Sequence, residues 1–181
     1  MKAVIDIYEI KKIIKATKNF IYKGDERPNL QYVRLDFDKD KHKVKATAID
    51  GFMMSIEYGR ILQIDESFSA YIKPQLPVGV KADYVEIDVK DGFCYITVGD
   101  NSVGYRQPDI KWLDTDKLIN DLEAKEIVTN TYINNDKLAT ALKSIESGGQ
   151  PINIEYRGIN TALILRFEDS FRMVQVCKQT E

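Results

Sequence analysis

The sequence has few of the side chains that most often carry catalysis or hold metals. Its 181 residues include one histidine and two cysteines, Cys94 and Cys177, which lie far apart and outside any CxxC spacing. A metal site needs several such ligands at close spacing. We therefore expect neither a metal nor a cofactor, and we interpret both cysteines as buried thiols in a reducing compartment.

Long apolar runs and catalytic motifs are missing as well. Residues 1–12 contain no apolar run of signal-peptide length, and no stretch approaches the roughly 18 apolar residues of a membrane span. The sequence has no glycine-rich phosphate loop, no GxSxG motif and no nucleophile placed beside a base. These gaps predict a soluble cytoplasmic protein that has no membrane partner and is not an enzyme. A dispersed carboxylate site is the alternative that the sequence leaves open.

The charge balance is close to neutral, with a formal net charge of -2 and a pI near 5.6. Such a protein is not coated with basic residues, so any contact with nucleic acid would have to come from a local patch.

The clearest local patch is a helix predicted over residues 10–21. At about 3.6 residues per turn, its isoleucines share one side of the helix, which predicts packing on a sheet. The opposite side would face something negative and carries Lys11, Lys12, Lys15 and Lys18. Two alternatives stay open: an ordinary solvated lysine face, and a helix lying on a membrane, which the short apolar side without tryptophan disfavours.

The rest of the sequence alternates between strand-like segments and turns in an order that repeats about every sixty residues. The first unit is predicted as a strand at 3–8, the helix, and strands at 30–37, 43–49 and 52–58. The second has strands at 69–73, 84–89, 93–98 and 102–106, with Pro74, Pro77 and Gly79 where a helix would be. A connector at 110–120, partly helical through Leu122, leads to a third unit. That unit has a strand at 131–133, an N-capping cluster at 134–136, a helix with Leu138, Ala141, Leu142 and Ile145 on its apolar face, and strands at 152–156, 162–167 and 171–177.

This order predicts an α+β fold of repeated β-α-β-β-β units, in which antiparallel sheets back the helices. Residues 1–113 would form one domain of two units, the second with an eroded helix. Residues 114–181 would form a connector and half a domain. Because phosphate contacts are independent of base sequence, lysines on such a helix layer suit a protein that holds any duplex DNA. The candidate contacts are Lys11, Lys12, Lys15, Lys18, Lys137 and Lys143.

Three segments resemble a known family, the bacterial DNA polymerase III beta sliding clamp. Residues 26–35, ERPNLQYVRL, resemble the clamp's Arg-Pro-x-Leu-x-x-Val-x-Leu stretch. Residues 48–55, AIDGFMMS, resemble its Ala-Thr-Asp-Gly-His-Arg-Leu-Ala turn, and residues 171–178, FRMVQVCK, are similar to its closing strand, Leu-Tyr-Leu-Val-Met-Pro-Met-Arg. The resemblance extends over nearly the whole chain, as a shortened and divergent clamp.

The resemblance implies a processivity factor that self-associates, holds duplex DNA and binds a DNA polymerase or another replication protein. A bacterial clamp subunit has three domains of two units each and closes a ring as a dimer. This chain corresponds to the middle domain followed by the last half of the final domain. The alternative is a clamp-derived interaction module that keeps a peptide groove but does not encircle DNA.

The family's peptide groove lies where the Asp-Gly-His turn meets the closing strand. The matching residues here are Gly51, Phe52, Met53, Val176 and Cys177, which we therefore expect to lie close together in space. Phe52 and Met53 replace the family's His-Arg. This substitution implies a more apolar pocket that binds a different ligand. The alternative for Phe52 and Met53 is ordinary packing.

Overall fold

The computed structural model describes residues 1–77, 81–128, 131–158 and 161–176, which form an antiparallel sheet with helices on both faces. The helices are α1 (Ile7–Thr17), α2 (Thr115–Glu123) and α3 (Asn135–Lys143), and a short 3-10 helix covers Pro28–Gln31. The strands are β1 (Lys2–Asp6), β2 (Val33–Asp38), β3 (Lys43–Ile49), β4 (Met53–Ile64), β5 (Phe68–Ile72), β6 (Tyr84–Lys90), β7 (Phe93–Val98), β8 (Asn101–Arg106), β9 (Asn153–Arg157), β10 (Ala162–Phe167) and β11 (Ser170–Gln175). The predicted α+β class with antiparallel strands is confirmed.

Helix α1 begins and ends earlier than the sequence predicts. The Asp6 side chain accepts a hydrogen bond from the Tyr8 backbone at 2.7 Å and caps the first turn, so Tyr8 belongs to the helix and not to β1. At the other end the Thr17 hydroxyl donates to the Ile13 carbonyl at 2.7 Å. Phe20 lies beyond the helix but is fully buried, because the chain turns back onto the sheet there.

The long strand β4 holds the two parts of the sheet together. One edge of β4 pairs with β3 along most of its length. The other edge pairs with β11 over Met53–Ile56 and with β1 over Ile61–Ile64. Strands β9, β10 and β11 are thereby attached to the path β5-β2-β3-β4-β1-β6-β7-β8.

The strand pairing follows the predicted units. We call β1 to β4 with α1 the first unit, β5 to β8 the second, and α3 with β9 to β11 the third. The opening strands of the first two units are exchanged, since β1 pairs with β6 and β5 pairs with β2. The last strands of the first and third units, β4 and β11, pair with each other. The domain division at residues 113 and 114 stays a prediction.

Several predicted bounds are wrong. Residues 131–133 are not a strand; the pairing with β9 lies earlier, where Ile127 forms an antiparallel bridge to Arg157. Strand β2 begins at Val33 instead of residue 30, because Pro28 starts the 3-10 helix and cannot donate to a ladder. Between β5 and β6 the described residues 73–77 and 81–83 contain no helix, and Gly79 lies outside the described residues.

The two faces of the sheet carry separate cores. One face, which we call the helix face, is covered by α1 and α3. Their residues Ile10, Ile13 and Ala141 join a core with Met53. The opposite face is covered by α2, whose Leu122 packs with Met54 and with other buried side chains of β3, β4, β10 and β11. Neighbours along a strand point to opposite faces, which separates Met53 from Met54.

A buried ion pair fixes the third unit against the first. Arg172 of β11 is fully buried, and its guanidinium lies 2.8 Å from a carboxylate oxygen of Glu57 in β4. The other N–H groups donate to the Ser144 hydroxyl and to the carbonyls of Ser144, Ile56 and Phe171 at 2.7–3.0 Å. All five donors of the arginine are therefore satisfied, which is the condition under which a buried charge is tolerated. Burial lowers the pKa of Arg172, and the hydrogen bond and charge of Glu57 oppose that shift.

We expect Arg172→Met to cost on the order of 3 to 5 kcal/mol of unfolding free energy, because it leaves the Glu57 carboxylate buried without its partner. Urea denaturation measures this loss. The matched control is Arg166→Met in β10, whose ion pair with Glu123 is partly exposed and should contribute about 1 kcal/mol or less. Equal losses in the two variants would contradict the role of the buried pair.

Candidate functional site

The six lysines predicted for DNA lie on α1, just after it, and on α3, the two helices that share one face of the sheet. Lys11, Lys15, Lys18 and Lys143 are exposed, whereas Lys12 and Lys137 are half-buried. The two helices approach each other at the C-terminal end of α3, where Lys15 and the Tyr8 hydroxyl both contact Glu146 at 2.6 and 3.4 Å.

Carboxylates engage part of this lysine surface. The Lys15 ammonium pairs with Glu146, and the Lys12 ammonium lies 3.5 Å from Glu9 and 3.7 Å from Glu57. Lys11, Lys18 and Lys143 form no side-chain ion pair with any residue that the structure describes. The three unpaired lysines are therefore the cations most available to an external anion.

Lys137 contacts the other predicted site. Its ammonium lies 3.9 Å above the centre of the Phe52 ring, a cation–π contact. Phe52 itself is 47% exposed. Lys137, which is predicted to contact DNA, and Phe52, which is predicted to contact a partner protein, are thus in direct contact.

A tight turn presents Phe52. The Asp50 side chain accepts hydrogen bonds from the backbone N–H groups of Phe52 and Met53, each at 2.7 Å. Gly51 between them has a φ of 97°, in the region that favours glycine, and a side chain there would also meet the Arg27 guanidinium. The Asp-Gly pair therefore fixes the direction in which Phe52 points.

The closing strand runs beside this turn, as the family resemblance implies. The Gln175 backbone N–H donates to the Phe52 carbonyl at 2.8 Å, and Val174 lies opposite Met53. Met53 and Val176 are almost fully buried, so among the described residues of this predicted site only Phe52 offers a large exposed surface. Cys177 lies outside the described residues.

A cavity lies on each side of the turn. On the helix face a cavity of about 460 Å³ is bounded by Ile21, Tyr22, Phe52 and Thr140 among others. On the opposite face a cavity of about 330 Å³ is bounded by Leu30, Ile49, Trp112 and Leu113 among others. Residues of the turn bound the helix-face cavity, whereas the opposite cavity reaches only Ile49, the residue before the turn.

Two features of this region are not foreseen from the sequence. Arg172 occupies a strand position that the apolar alternation assigns to the core. The only sign of its role in the sequence is that a charged residue interrupts the apolar pattern there. Trp112, which the sequence predicts to lie in a connector, packs against the α2-side core, and its indole N–H is buried without a hydrogen-bond partner among the described residues.

The structure offers no evident metal or redox chemistry in its described ranges. No group of three His, Cys, Asp or Glu residues there is arranged to hold a metal ion. Cys94 is buried in β7, as predicted, and burial raises the pKa of its thiol to about 12, which keeps it unreactive. None of the described helices has the length and apolar character needed to cross a bilayer.

Solved DNA polymerase sliding clamps share the fold described above. The DNA polymerase sliding clamp from Bacillus subtilis superposes with a TM-score of 0.76 at 12% identity, covering 99% of this chain and 65% of the clamp. The DNA polymerase III beta chain from Streptococcus pneumoniae gives 0.77 at 14% identity, covering 99% and 65%. The sliding clamp from Pseudomonas aeruginosa gives 0.77 at 12% identity, covering 99% and 67%.

This chain therefore has the fold of the DNA polymerase III beta sliding clamps and spans about two thirds of their length. No protein-family model and no curated protein matches the sequence. At such low identity the likeness shows the fold, as the three resembling segments predicted, and leaves function to the residues of this chain.

The neighbours Phe52 and Met53 should respond differently to truncation. We expect Met53→Ala to cost about 2 to 5 kcal/mol of unfolding free energy, because it opens a cavity in the helix-side core. Phe52→Ala should cost about 1 kcal/mol or less, since it removes an exposed ring and one cation–π contact. Urea denaturation of both variants measures the difference. A loss for Phe52→Ala as large as that for Met53→Ala would show that Phe52 is a core residue instead of a presented one.

Proposed function

We propose that this protein is a sliding-clamp-like processivity factor that self-associates, holds duplex DNA without sequence preference, and binds a replication protein. The observation that carries the proposal is the common placement of the lysine-bearing helices α1 and α3 on one face of a clamp-fold sheet. Such a face presents several lysine side chains to the phosphate backbone of a duplex. It offers no group that distinguishes one base from another.

The charges on this face favour weak binding of duplex DNA. The unpaired Lys11, Lys18 and Lys143 can each neutralise a phosphate, whereas Lys12 and Lys15 must first leave their carboxylates. Few and uniform phosphate contacts give modest, salt-sensitive affinity that does not depend on position along the duplex. A protein that must move along DNA needs that combination.

The partner site proposed on this basis is the turn at Gly51 and Phe52 with the closing strand. Phe52 supplies an exposed aromatic ring, an anchor type that is enriched at protein interfaces. Buried Met53 and Val176 support the turn from the core side, and Cys177 is included by the resemblance. The ligand expected here is a short apolar peptide segment of a DNA polymerase or another replication protein.

One observation favours a second function, a clamp-derived interaction module that never encircles DNA. Glu9, Glu57 and Glu146 engage two of the four α1-region lysines, and a dedicated DNA-binding face would gain by leaving them free. The two functions differ in whether the helix face contacts DNA at all.

Substitution of the unpaired lysines separates these functions. We expect the triple variant Lys11→Ala, Lys18→Ala and Lys143→Ala to weaken binding to a short duplex. The slope of log K against log salt concentration should fall by roughly 2 to 3, at about 0.9 per lost phosphate contact. Fluorescence anisotropy over a salt series measures this slope.

The matched control removes three lysines from the opposite side of the sheet, Lys45, Lys90 and Lys117, which pair with Asp116, Asp88 and Asp121. It changes the net charge by the same amount and should leave the slope unchanged. If the control variant weakens DNA binding as much as the test variant does, the change in net charge alone would explain the effect. Absence of duplex binding by the unaltered protein at low salt would favour the interaction module.

The partner site is tested with a peptide that carries a standard clamp-binding motif. Phe52 replaces the family's histidine and lacks its ring donor and acceptor, so we expect binding on the order of ten- to a hundred-fold weaker than to a bacterial clamp. Parallel titrations of the two proteins measure this ratio. Clamp-like affinity that Phe52→Ala leaves unchanged would show that the peptide binds elsewhere.

A further inference from the structure

Glu146 differs from the other carboxylates that engage lysines on the helix face. Glu9 pairs with Lys12 one turn along the same helix, and Glu57 is already bound by the buried Arg172. Glu146 comes from the third unit, and its side-chain hydrogen bonds within the described residues go only to α1. Its carboxylate therefore acts on the lysine-bearing helix itself.

Two donors of α1 hold Glu146, one on each carboxylate oxygen. The Lys15 ammonium lies 2.6 Å from Oε1, and the Tyr8 hydroxyl lies 3.4 Å from Oε2, a longer and weaker contact. Lysine and tyrosine side chains are among the groups that donate to the phosphate oxygens of DNA. The Glu146 carboxylate therefore occupies a place that suits two oxygens of a phosphate group.

Tyr8 lies on the same side of α1 as the exposed lysines. Tyr8, Lys11, Lys15 and Lys18 follow at intervals of three and four residues, the spacing of neighbours on one side of an α-helix. All four are exposed, and Tyr8 is 65% accessible. A duplex that meets Lys11 and Lys18 therefore also passes Tyr8 and Lys15.

The backbone next to Glu146 is fixed by packing and by hydrogen bonds. Ser144 accepts from the Arg172 guanidinium on its hydroxyl and on its carbonyl, at 2.7 and 3.0 Å. Ile145 is almost fully buried and joins the helix-side core. The fold therefore places Glu146 over α1, although Lys15 lies 131 residues away in the chain.

We propose that Lys15 and Tyr8 form a phosphate-binding site for duplex DNA, and that Glu146 occupies this site in the free protein. The inference rests on the proposed function and adds to it one contact, Tyr8, and one competitor, Glu146. A duplex must displace Glu146 before it gains this contact. The third unit thereby limits how tightly the helix face holds DNA.

The contact is weak enough to be displaced. The side chains of Lys15 and Glu146 are 51% and 31% exposed, and exposed ion pairs of this kind contribute little. A lysine that binds a phosphate releases a counterion from the duplex, and this release is most favourable at low salt. The exchange of Glu146 for a phosphate therefore favours the duplex most at low salt.

Removal of the carboxylate tests the competition. We expect Glu146→Gln to bind a short duplex about two- to five-fold more tightly, because Lys15 no longer has to leave a partner. Fluorescence anisotropy at low salt measures this gain. The matched control is Asp121→Asn on α2, which removes the partner of Lys117, changes the net charge equally and should leave the affinity unchanged. An equal gain in both variants would overturn the inference.

A substitution that changes no charge tests the site itself. Tyr8→Phe removes only the hydroxyl, so it separates a phosphate contact from general repulsion between Glu146 and DNA. In the Glu146→Gln background it should weaken duplex binding about two- to ten-fold, the contribution of one hydrogen bond. In the unaltered protein the loss should be smaller, because Glu146 competes for the same hydroxyl. Circular dichroism checks that each variant is folded.

The outcomes separate this inference from the proposed function. If Glu146→Gln leaves duplex binding unchanged, or if Tyr8→Phe has the same effect in both backgrounds, the protein still holds DNA but the occupied site is overturned. Absence of duplex binding by both the unaltered protein and Glu146→Gln at low salt would overturn both. Binding by Glu146→Gln alone would support the inference, with the site then fully occupied in the unaltered protein.

Discussion

The buried ion pair between Glu57 and Arg172 is the constraint on which the arrangement of the molecule depends. A guanidinium without water is tolerated only when all of its N–H groups have acceptors, and here those acceptors come from β4, β11 and the end of α3. The hydrogen bonds to Ser144 attach the end of α3 to β11, close to where Glu146 meets Lys15 of α1. Arg172 thus links α3 to β4, the strand on which α1 packs.

The two faces of the sheet have different properties. The helix face carries the lysines, interleaved with Glu9, Glu57 and Glu146, while the opposite face carries α2 and an apolar core that reaches Trp112. The turn at Asp50 and Gly51 lies at the junction, with a cavity on each side of it. A polyanion and an apolar peptide would thus meet the molecule at adjoining places, and the contact between Lys137 and Phe52 connects them.

Much of the fold could be predicted from the sequence because it depends on periodicity. Alternation found most strands, and the N-caps Asp114 and Asn134 begin helices where polar clusters precede apolar periodicity. Failures occur where one side chain outweighs the pattern: Asp6 caps α1 early, Pro28 delays β2, and the strand expected at 131–133 is replaced by a bridge at Ile127. The nearness of Phe52 to the closing strand followed from the resemblance. The carboxylates that hold Lys12 and Lys15 depend on long-range packing that no local pattern encodes.

The central claim is that the helix face, and not the α2 face, meets duplex DNA. Lysine acetylation followed by mass spectrometry, with and without duplex DNA at low salt, tests it most directly. The account predicts that DNA protects Lys11, Lys18 and Lys143 from acetylation while Lys45, Lys90 and Lys117 react as before. Equal protection of both groups of lysines, or protection of the α2-face group alone, would contradict it.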